Sequence, residues 1–220
     1  MRRILTAVLL LMLTAAPARA ETLRVVLDWF VNPDHGPLFV ALERGFFREA
    51  GLEVELVPPA DPADPPKLVA AGRADVAISY QPELHLQAAA GLPLTRIGTL
   101  VATPLNTVIA LADGPVKSLA DLKGRKVGFS VSGFEDALLG TMLESVGLKA
   151  ADVTLVNVNF ALSAALLSGQ VDAIVGGFRN FELNQIALEG RAGRAFYPEE
   201  AGVPAYDELV ILANSAKLAD

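Results

Sequence analysis

The hydrophobic and polar positions of this chain form short strand-like runs that alternate with longer stripes at helical spacing. Short apolar or alternating runs indicate strands, and apolar residues at i, i+3 and i+4 indicate helices. In the first half this pattern predicts strands at 23–27, 53–57 and 75–79, with helices at 38–50 and 66–71. Such strand–helix–strand alternation is typical of parallel sheets joined by right-handed crossovers.

The second half of the chain repeats this order about 96 residues later. Its pattern predicts strands at 126–129, 153–157 and 172–175, and helices at 134–146 and 162–168. The segments 68–78 and 165–175 are the most alike, with Asp75 and Asp172 in register. Two copies are fewer than the roughly three that a solenoid needs. The repeat therefore predicts two similar α/β lobes with a ligand-binding cleft between them.

Two apolar segments, 99–106 and 209–213, are predicted to cross between the lobes as a hinge, since hinges are usually a few element-terminal residues. The first lobe then covers 21–103, with 209–220 returning to it, and the second covers 104–208. The chain stops soon after this return. We therefore expect the first lobe to lack its C-terminal helices and to expose an apolar face. The chain should then bind weakly, associate with itself or need a partner segment.

Residues 1–20 have the pattern of a secretory signal peptide. Arg2 and Arg3 precede an apolar run, and Ala18-Arg19-Ala20 is a typical cleavage site. The run is shorter than the roughly 20 residues of a membrane-spanning helix. The chain has no cysteine, which excludes a disulfide framework. We expect an exported protein of the bacterial periplasm.

The charge of the chain disfavours nucleic acid as a partner. The predicted leader holds three of the 18 basic residues and none of the 25 acidic ones. The remaining chain thus has 15 basic and 25 acidic residues, a net charge of −10. A surface of that sign opposes a phosphate backbone.

Candidate binding residues follow the predicted strands. The loop after the first strand carries Asp28, the only tryptophan (Trp29), Asn32 and His35. An exposed tryptophan there suits a flat ring, because aromatic stacking adds about 0.5–1.5 kcal/mol beyond burial. The alternative, equally weighted, is that the loop aromatics pack on the core.

Equivalent strand ends in the two halves pair an aromatic residue with a carboxylate three or four positions later. These pairs are Tyr80 with Glu83, and Phe178 with Glu182. On a helix that starts there, both side chains share one face and could contact one heterocycle. Alternatively, the glutamates are first-turn charges that complement the helix dipole.

Catalytic and metal motifs are weak. The segment around Ser130 and Ser132 resembles a nucleophile elbow, but both histidines precede it, whereas an α/β-hydrolase has its histidine afterwards. Ser130, Ser132 and Gly133 could instead bind a ligand's polar edge or cap the following helix. Two histidines without cysteine make a poor metal site. We predict neither a metal nor a cofactor.

Several blocks of the sequence resemble the periplasmic thiamine-precursor-binding proteins of ABC importers. The most specific are Leu27-Asp28-Trp29, with Asn32-Pro33-Asp34-His35, and Ile78-Ser79-Tyr80-Gln81-Pro82-Glu83. The segment 166–177, followed by Asn180 and Glu182, is similar too. This resemblance covers 22–214 and implies a type II periplasmic-binding-protein fold, a thiamine-type pyrimidine ligand and a transient ABC permease partner.

The same superfamily contains fungal-type pyrimidine synthases that use pyridoxal phosphate and their own histidine. The resemblance implies that their lysine and histidine would correspond to Ser79 and Glu83 here, and their cysteine-rich motif has no counterpart. We therefore interpret the chain as a binding protein, with a synthase-like enzyme or a ligand sensor as alternatives. The hydroxymethyl and formylaminomethyl forms of the pyrimidine both remain open. The predicted site comprises Asp28, Trp29, Asn32, His35, Tyr80, Glu83, Asn106, Ser130, Ser132, Gly133, Phe178, Asn180 and Glu182.

Overall fold

A computed structural model describes residues 22–218 of the chain. The predicted signal peptide lies outside the described residues. Within 22–218, no helix combines the length and the apolar character needed to cross a bilayer.

Within residues 22–218, each lobe contains a five-stranded mixed sheet. In the first lobe the strand order is β2-β1-β3-β10-β4, and in the second it is β7-β6-β8-β5-β9. The two orders are equivalent, as the sequence repeat predicts. The strands of the first sheet are β1 (Thr22–Val26), β2 (Glu53–Val57), β3 (Val76–Tyr80), β4 (Leu94–Val101) and β10 (Leu209–Asn214). Those of the second are β5 (Asn106–Leu111), β6 (Lys126–Phe129), β7 (Thr154–Asn157), β8 (Ala173–Phe178) and β9 (Gly193–Phe196).

Seven α-helices flank these sheets. They are α1 (Gly36–Arg44), α2 (Phe46–Glu49), α3 (Pro65–Ala70), α4 (Gln81–Ala89), α5 (Phe134–Glu144), α6 (Leu162–Leu167) and α7 (Glu182–Leu188). The strand β1 pairs in parallel with β2 and β3, and β6 pairs in parallel with β7 and β8. Helix-connected parallel strands account for the near-continuous apolar runs of β3 and β8, which are buried along their whole length.

The repeated aspartates have the same structural role in both lobes. Asp75 Oδ2 accepts a hydrogen bond from the Arg24 backbone N–H at 2.9 Å, at the start of β1. Asp172 Oδ2 accepts one from the Lys126 backbone N–H at 3.0 Å, at the start of β6. Each carboxylate therefore satisfies a strand-edge donor that has no ladder partner.

Two predicted elements differ in the structure. The helix predicted at 38–50 is split into α1 and α2 by Gly45, whose φ of 78° is a left-handed conformation that costs glycine little. The segment 209–213 is not a crossing. It is the core of β10, which lies between β3 and β4 and is antiparallel to both.

The lobes are joined by residues 102–105, between β4 and β5, and by residues 201–208, which lead into β10. A buried carboxylate links these two crossings. Glu208 Oε2 accepts hydrogen bonds from the backbone N–H groups of Leu105 (2.6 Å) and Asn106 (2.8 Å) and from the Tyr206 hydroxyl (3.1 Å). Burial raises the pKa of Glu208 to about 7.

One face of the first lobe is thinly packed. Helix α1 contains no fully buried residue, although most of its residues are apolar. Val40 is 55% exposed, and Phe46 in the adjoining helix α2 is 54% exposed. The second lobe has more fully buried large side chains, including Phe134, Met142 and Ile174.

Candidate functional site

A narrow cleft lies between the lobes, at the carboxyl ends of the parallel strands. It contains about 310 Å³ of atom-free space, part of which is open to solvent. Strand ends supply the lining because β1, β3, β6 and β8 all point their carboxyl ends at the cleft. The lining residues are Asp28, Trp29, Asn32, Tyr80, Asn106, Glu135, Gly176, Phe178, Phe181 and Glu182.

Asp28 is held by two donors from the first lobe. His35 Nε2 lies 2.8 Å from Asp28 Oδ1, and the Tyr80 hydroxyl donates to Asp28 Oδ2 at 3.1 Å. Because His35 Nδ1 accepts the Asn32 backbone N–H at 3.3 Å, the ring proton is assigned to Nε2. Burial, followed by the charge of Asp28, raises the pKa of Tyr80. This arrangement fixes the Tyr80 ring at the edge of the cleft.

Trp29 is buried, as expected from the second of the two equally weighted alternatives, in which the loop aromatics pack on the core. Its side chain is 6% exposed and packs edge-on against Phe160 of the second lobe, with ring centroids 4.8 Å apart. Its indole Nε1 is buried and has no hydrogen-bond partner. An unsatisfied buried donor costs about 1–3 kcal/mol, so an acceptor that entered the cleft would gain that contact.

The other aromatic side chains connect the two lobes. Tyr80 stacks on Phe134 at a centroid distance of 5.1 Å and meets Phe178 edge-on at 6.4 Å. Phe30 lies 5.6 Å from Phe181. At the cleft mouth, Asn180 Nδ2 donates to Asp34 Oδ1 at 2.6 Å. The lobes are therefore in mutual contact around the cleft.

Glu182 begins helix α7 and has the position predicted from the strand-end pattern. Its Oε2 accepts the Phe178 backbone N–H at 2.6 Å. Burial raises its pKa to about 7, and the Phe178 hydrogen bond opposes that shift. The carboxyl group thus has both a structural contact and access to the cleft.

Glu83 does not line the cleft, although the sequence pattern treats it as the equivalent of Glu182. Its oxygens accept from Ser79 Oγ at 2.7 Å and from Gln87 Nε2 at 2.9 Å, within its own lobe. Burial raises its pKa to about 7. Both oxygens of Glu83 thus accept side-chain hydrogen bonds within the first lobe, whereas Glu182 accepts the Phe178 N–H through Oε2.

The other predicted residues divide into those inside and those outside the cleft. Asp28, Trp29, Asn32, Tyr80, Asn106, Phe178 and Glu182 line it. His35 is fully buried behind Asp28 and acts through that side chain. Asn180 is exposed at the cleft mouth, and Ser132 and Gly133 are exposed at the start of helix α5. Ser130 is buried, and its N–H serves Glu135.

Glu135, Gly176 and Phe181 line the cleft but are absent from the predicted set. Glu135 lies two residues after Gly133, so a search for polar residues that follow a predicted strand would include it with Ser130–Gly133. The sequence pattern instead assigns Glu135 to the helix predicted to begin at Phe134. Among residues 22–218, no group of three His, Cys, Asp or Glu side chains is arranged to hold a metal ion.

Comparison with known proteins agrees with this geometry. A Haemophilus influenzae protein provisionally named a thiamine biosynthesis protein is 59% identical over 210 residues. The match covers 96% of this chain and 67% of that protein. A formylaminopyrimidine-binding protein from Halalkalibacterium halodurans is 41% identical over 196 residues, covering 89% of this chain and 59% of the relative. The chain thus spans about two thirds or less of these relatives' lengths.

More distant similarity extends to an enzyme and to a solved binding protein. A 4-amino-5-hydroxymethyl-2-methylpyrimidine phosphate synthase from Uromyces fabae is 32% identical, covering 71% of this chain and 46% of the enzyme. The periplasmic aliphatic sulphonate binding protein SsuA from Escherichia coli superposes with a TM-score of 0.67 at 21% identity, covering 91% of this chain and 67% of that structure. This likeness establishes a type II periplasmic-binding-protein fold.

The family model described as "NMT1/THI5 like" matches residues 32–220, which include the second lobe and the part of the first lobe that follows β1. The match contains every residue that lines the cleft except Asp28 and Trp29. The chain therefore belongs to the NMT1/THI5-like family.

Proposed function

We propose that this chain binds a thiamine-type pyrimidine, in its hydroxymethyl or formylaminomethyl form, as the ligand-binding component of an ABC importer. The similarity to a formylaminopyrimidine-binding protein supports the ligand class. The likeness in fold to a periplasmic sulphonate-binding protein supports the transport role. The signal-peptide pattern of residues 1–20 supports a periplasmic location and a membrane permease as the transient partner.

One observation carries the ligand class. The cleft combines aromatic side chains with an unpartnered donor, Trp29 Nε1, and carboxyl acceptors such as Glu182. An aminopyrimidine is flat and offers an amine donor together with ring-nitrogen acceptors. Its pattern complements these groups, whereas a sulphonate would bring three acceptor oxygens against the carboxyl groups.

Lobe closure would couple ligand binding to delivery. The cleft draws its lining from both lobes, and contacts such as Asn180 with Asp34 join its two sides. A ligand that contacts both lobes shifts the equilibrium toward the closed form by its differential affinity. A permease could then distinguish closed from open protein.

The synthase alternative has less support from the residues of this chain. Ser79 occupies the position at which the resemblance implies the lysine of the synthases, and its hydroxyl donates to Glu83 at 2.7 Å. A hydroxyl cannot form the Schiff base that a lysine amine forms with a carbonyl. These residues support binding without chemistry.

Thermal denaturation in the presence of candidate ligands tests this function. The mature chain is heated with 4-amino-5-hydroxymethyl-2-methylpyrimidine, its formylaminomethyl analogue, thiamine, or an alkanesulphonate as the control. A ligand at 100 times its Kd stabilises the folded state by about 2.7 kcal/mol. For a protein of this size that corresponds to a rise in Tm of roughly 5–11 °C.

A rise with either pyrimidine precursor and none with the alkanesulphonate supports the proposal. A rise with the alkanesulphonate alone, or no rise with any pyrimidine at millimolar concentration, contradicts it.

A further inference from the structure

Three carboxyl groups line the cleft, those of Asp28, Glu135 and Glu182. Glu135 and Glu182 belong to different helices of the second lobe. Glu135 lies in the first turn of helix α5, is 3% exposed, and lines the cleft. Its Oε2 accepts the Ser130 backbone N–H at 2.7 Å. This hydrogen bond within the second lobe therefore holds the Glu135 carboxyl group in its buried position.

The neighbouring backbone of the same lobe is shaped around this carboxyl group. Gly176, in strand β8, has a φ of 97°, and a Cβ added there would collide with Glu135 Oε1. Both the conformation and the close approach require glycine. The Gly176 N–H donates to Asn106 Oδ1 at 3.1 Å, which fixes the strand at this point. Oε1 therefore lies against residues that themselves line the cleft.

The buried charges around Glu135 are almost all acidic. Within 22–218, the buried ionisable acids are Asp28, Glu83, Glu135, Glu182 and Glu208, while His35 is the one buried basic residue and no lysine or arginine is buried. His35 is already engaged by Asp28. Burial, reinforced by the charges of Glu83 and Glu182, raises the pKa of Glu135 to about 8. At neutral pH the ligand-free group is therefore mostly protonated. A cation that forms beside it lowers that pKa, which favours transfer of the proton to a basic ligand.

An independent observation supports a polar ligand in the same cleft. Trp29 lines the cleft from the first lobe, and its Nε1 is buried without a hydrogen-bond partner. A ligand that fits must offer an acceptor to this N–H and a proton-accepting group to the carboxyls. A basic heterocycle with more than one ring nitrogen meets both requirements.

We propose that Glu135 is a specificity-determining residue that selects pyrimidines whose amine makes a ring nitrogen basic, and rejects pyrimidines that carry a carbonyl in place of that amine. The proposal rests on the proposed function, binding of a thiamine-type pyrimidine. On binding, the Glu135 O–H bond breaks and the proton forms an N–H bond with a ring nitrogen. The resulting carboxylate then faces a cation that carries the amine.

Ligand basicity decides the selection. Charge-assisted hydrogen bonds are about twice as strong as neutral ones, and they form only if the ligand nitrogen accepts the proton. In a 4-oxo pyrimidine the carbonyl withdraws electron density, so the ring nitrogens are poor bases. When such a ligand binds, the Glu135 carboxyl group stays neutral and no charge-assisted hydrogen bond forms.

Two probes of matched shape test this on the full mature chain. Kd is measured by calorimetry for 4-amino-2,5-dimethylpyrimidine and for 2,5-dimethylpyrimidin-4-one at pH 7.5. The ultraviolet difference spectrum of the bound amino probe is recorded in parallel. We expect the amino probe to bind roughly 10- to 150-fold more tightly, the range for a hydrogen bond to a charged group, and to show the spectrum of its protonated form.

Variants then assign the effect to one side chain. Glu135→Gln keeps an oxygen for the Ser130 N–H but cannot donate a carboxyl proton, so both the preference and the protonated spectrum should disappear. Glu144→Gln, an exposed change at the other end of the same helix, is the matched control and should keep both. If Glu135→Gln fails to fold, Glu182→Gln is measured instead, because Glu182 is the other glutamate of the cleft. A preference and a protonated spectrum that survive in Glu182→Gln support the role of Glu135, and their loss overturns it.

The outcomes separate the two proposals. Binding of both probes within threefold, a neutral spectrum for the bound amino probe, or an unchanged preference in Glu135→Gln overturns the role of Glu135 while pyrimidine binding stands. Failure of both probes to bind overturns the proposed function, and the role of Glu135 with it.

Discussion

At the scale of single residues, the cleft is built from side chains that are fixed before a ligand arrives. Asp28 is held by His35 and Tyr80, and Glu182 by the Phe178 N–H. Such preorganisation reduces the entropy lost on binding. The exception is Trp29, whose ring is packed but whose N–H has no partner.

Trp29→Phe isolates the contribution of that N–H. The phenyl ring keeps most of the apolar packing, while the unsatisfied donor is removed. We expect weaker pyrimidine binding by about 0.5–1.5 kcal/mol, the range for a neutral hydrogen bond. Tm of the ligand-free protein should change little, because the lost packing is offset by the removal of a buried unpaired donor. Calorimetric titration and thermal denaturation of the same variant measure the two effects.

Trp29→Ala is the companion variant. It removes ring and donor together, and a tryptophan that packs this deeply should cost about 3–5 kcal/mol of stability. If Trp29→Phe binds as tightly as the unaltered protein, the indole N–H does not contact the ligand.

Glu182→Gln and Glu83→Gln distinguish a cleft carboxylate from one outside it. Both side chains are buried in the first turn of a helix, but only Glu182 lines the cleft. We expect Glu182→Gln to weaken aminopyrimidine binding by about 1.5–3 kcal/mol through loss of a charged hydrogen bond. Glu83→Gln should have a smaller effect on Kd. A larger effect from Glu83→Gln would show that the lobes adopt another arrangement around the ligand.

At the scale of helices and strands, periodicity predicts most of the elements that carry the site. The strands at 53–57 and 126–129 have the predicted bounds, and β8 extends beyond the predicted 172–175 to Phe178, with a bulge at Gly176. The strand-end rule also finds Asp28, Tyr80 and Glu182. Periodicity cannot predict that β10 is an interior strand of the first sheet, because an apolar run is equally compatible with a crossing between lobes. Nor can it separate Glu83 from Glu182, because their difference depends on Ser79.

The α1–α2 face, defined here by Val40 and Phe46, supports a prediction at this scale. Exposed apolar patches lead to association. We expect the double change Val40→Thr and Phe46→Ser to lower the fluorescence of a surface-hydrophobicity dye and to reduce self-association in sedimentation velocity. Leu188→Ser, on helix α7 of the other lobe, removes a single side chain that is 87% exposed and is the control. Equal effects from both variants would contradict a specific role for this face.

At the scale of the whole molecule, the buried acids set how stability depends on pH. Burial raises the pKa values of Glu83, Glu182 and Glu208 to about 7 and that of Glu135 to about 8, from 4.5. Between these values the folded state binds more protons than the unfolded state. The free energy of unfolding therefore falls as pH rises from about 4.5 to 8.

We accordingly expect the Tm of the ligand-free protein to be highest near pH 5 and several degrees lower at pH 8. Each kcal/mol corresponds to about 2–4 °C in a protein of this size. Thermal denaturation at pH 5, 6.5 and 8 measures the slope, and Glu208→Gln should make it shallower. A Tm that rises over this interval would mean that these carboxyl groups are ionised in the folded protein at little cost.

The interior position of β10 also determines when the first sheet can be completed during synthesis of the chain. Strands β3 and β4 are translated early, but the strand that belongs between them is translated only after the whole of the second lobe. About 105 residues separate 103 from 209, which is roughly 5–20 s of synthesis at 5–20 residues per second. For that interval two unpaired strand edges invite wrong partners. The first lobe is therefore synthesised first but completed last. Its unpaired strand edges are the part of the growing chain that most needs protection by a chaperone.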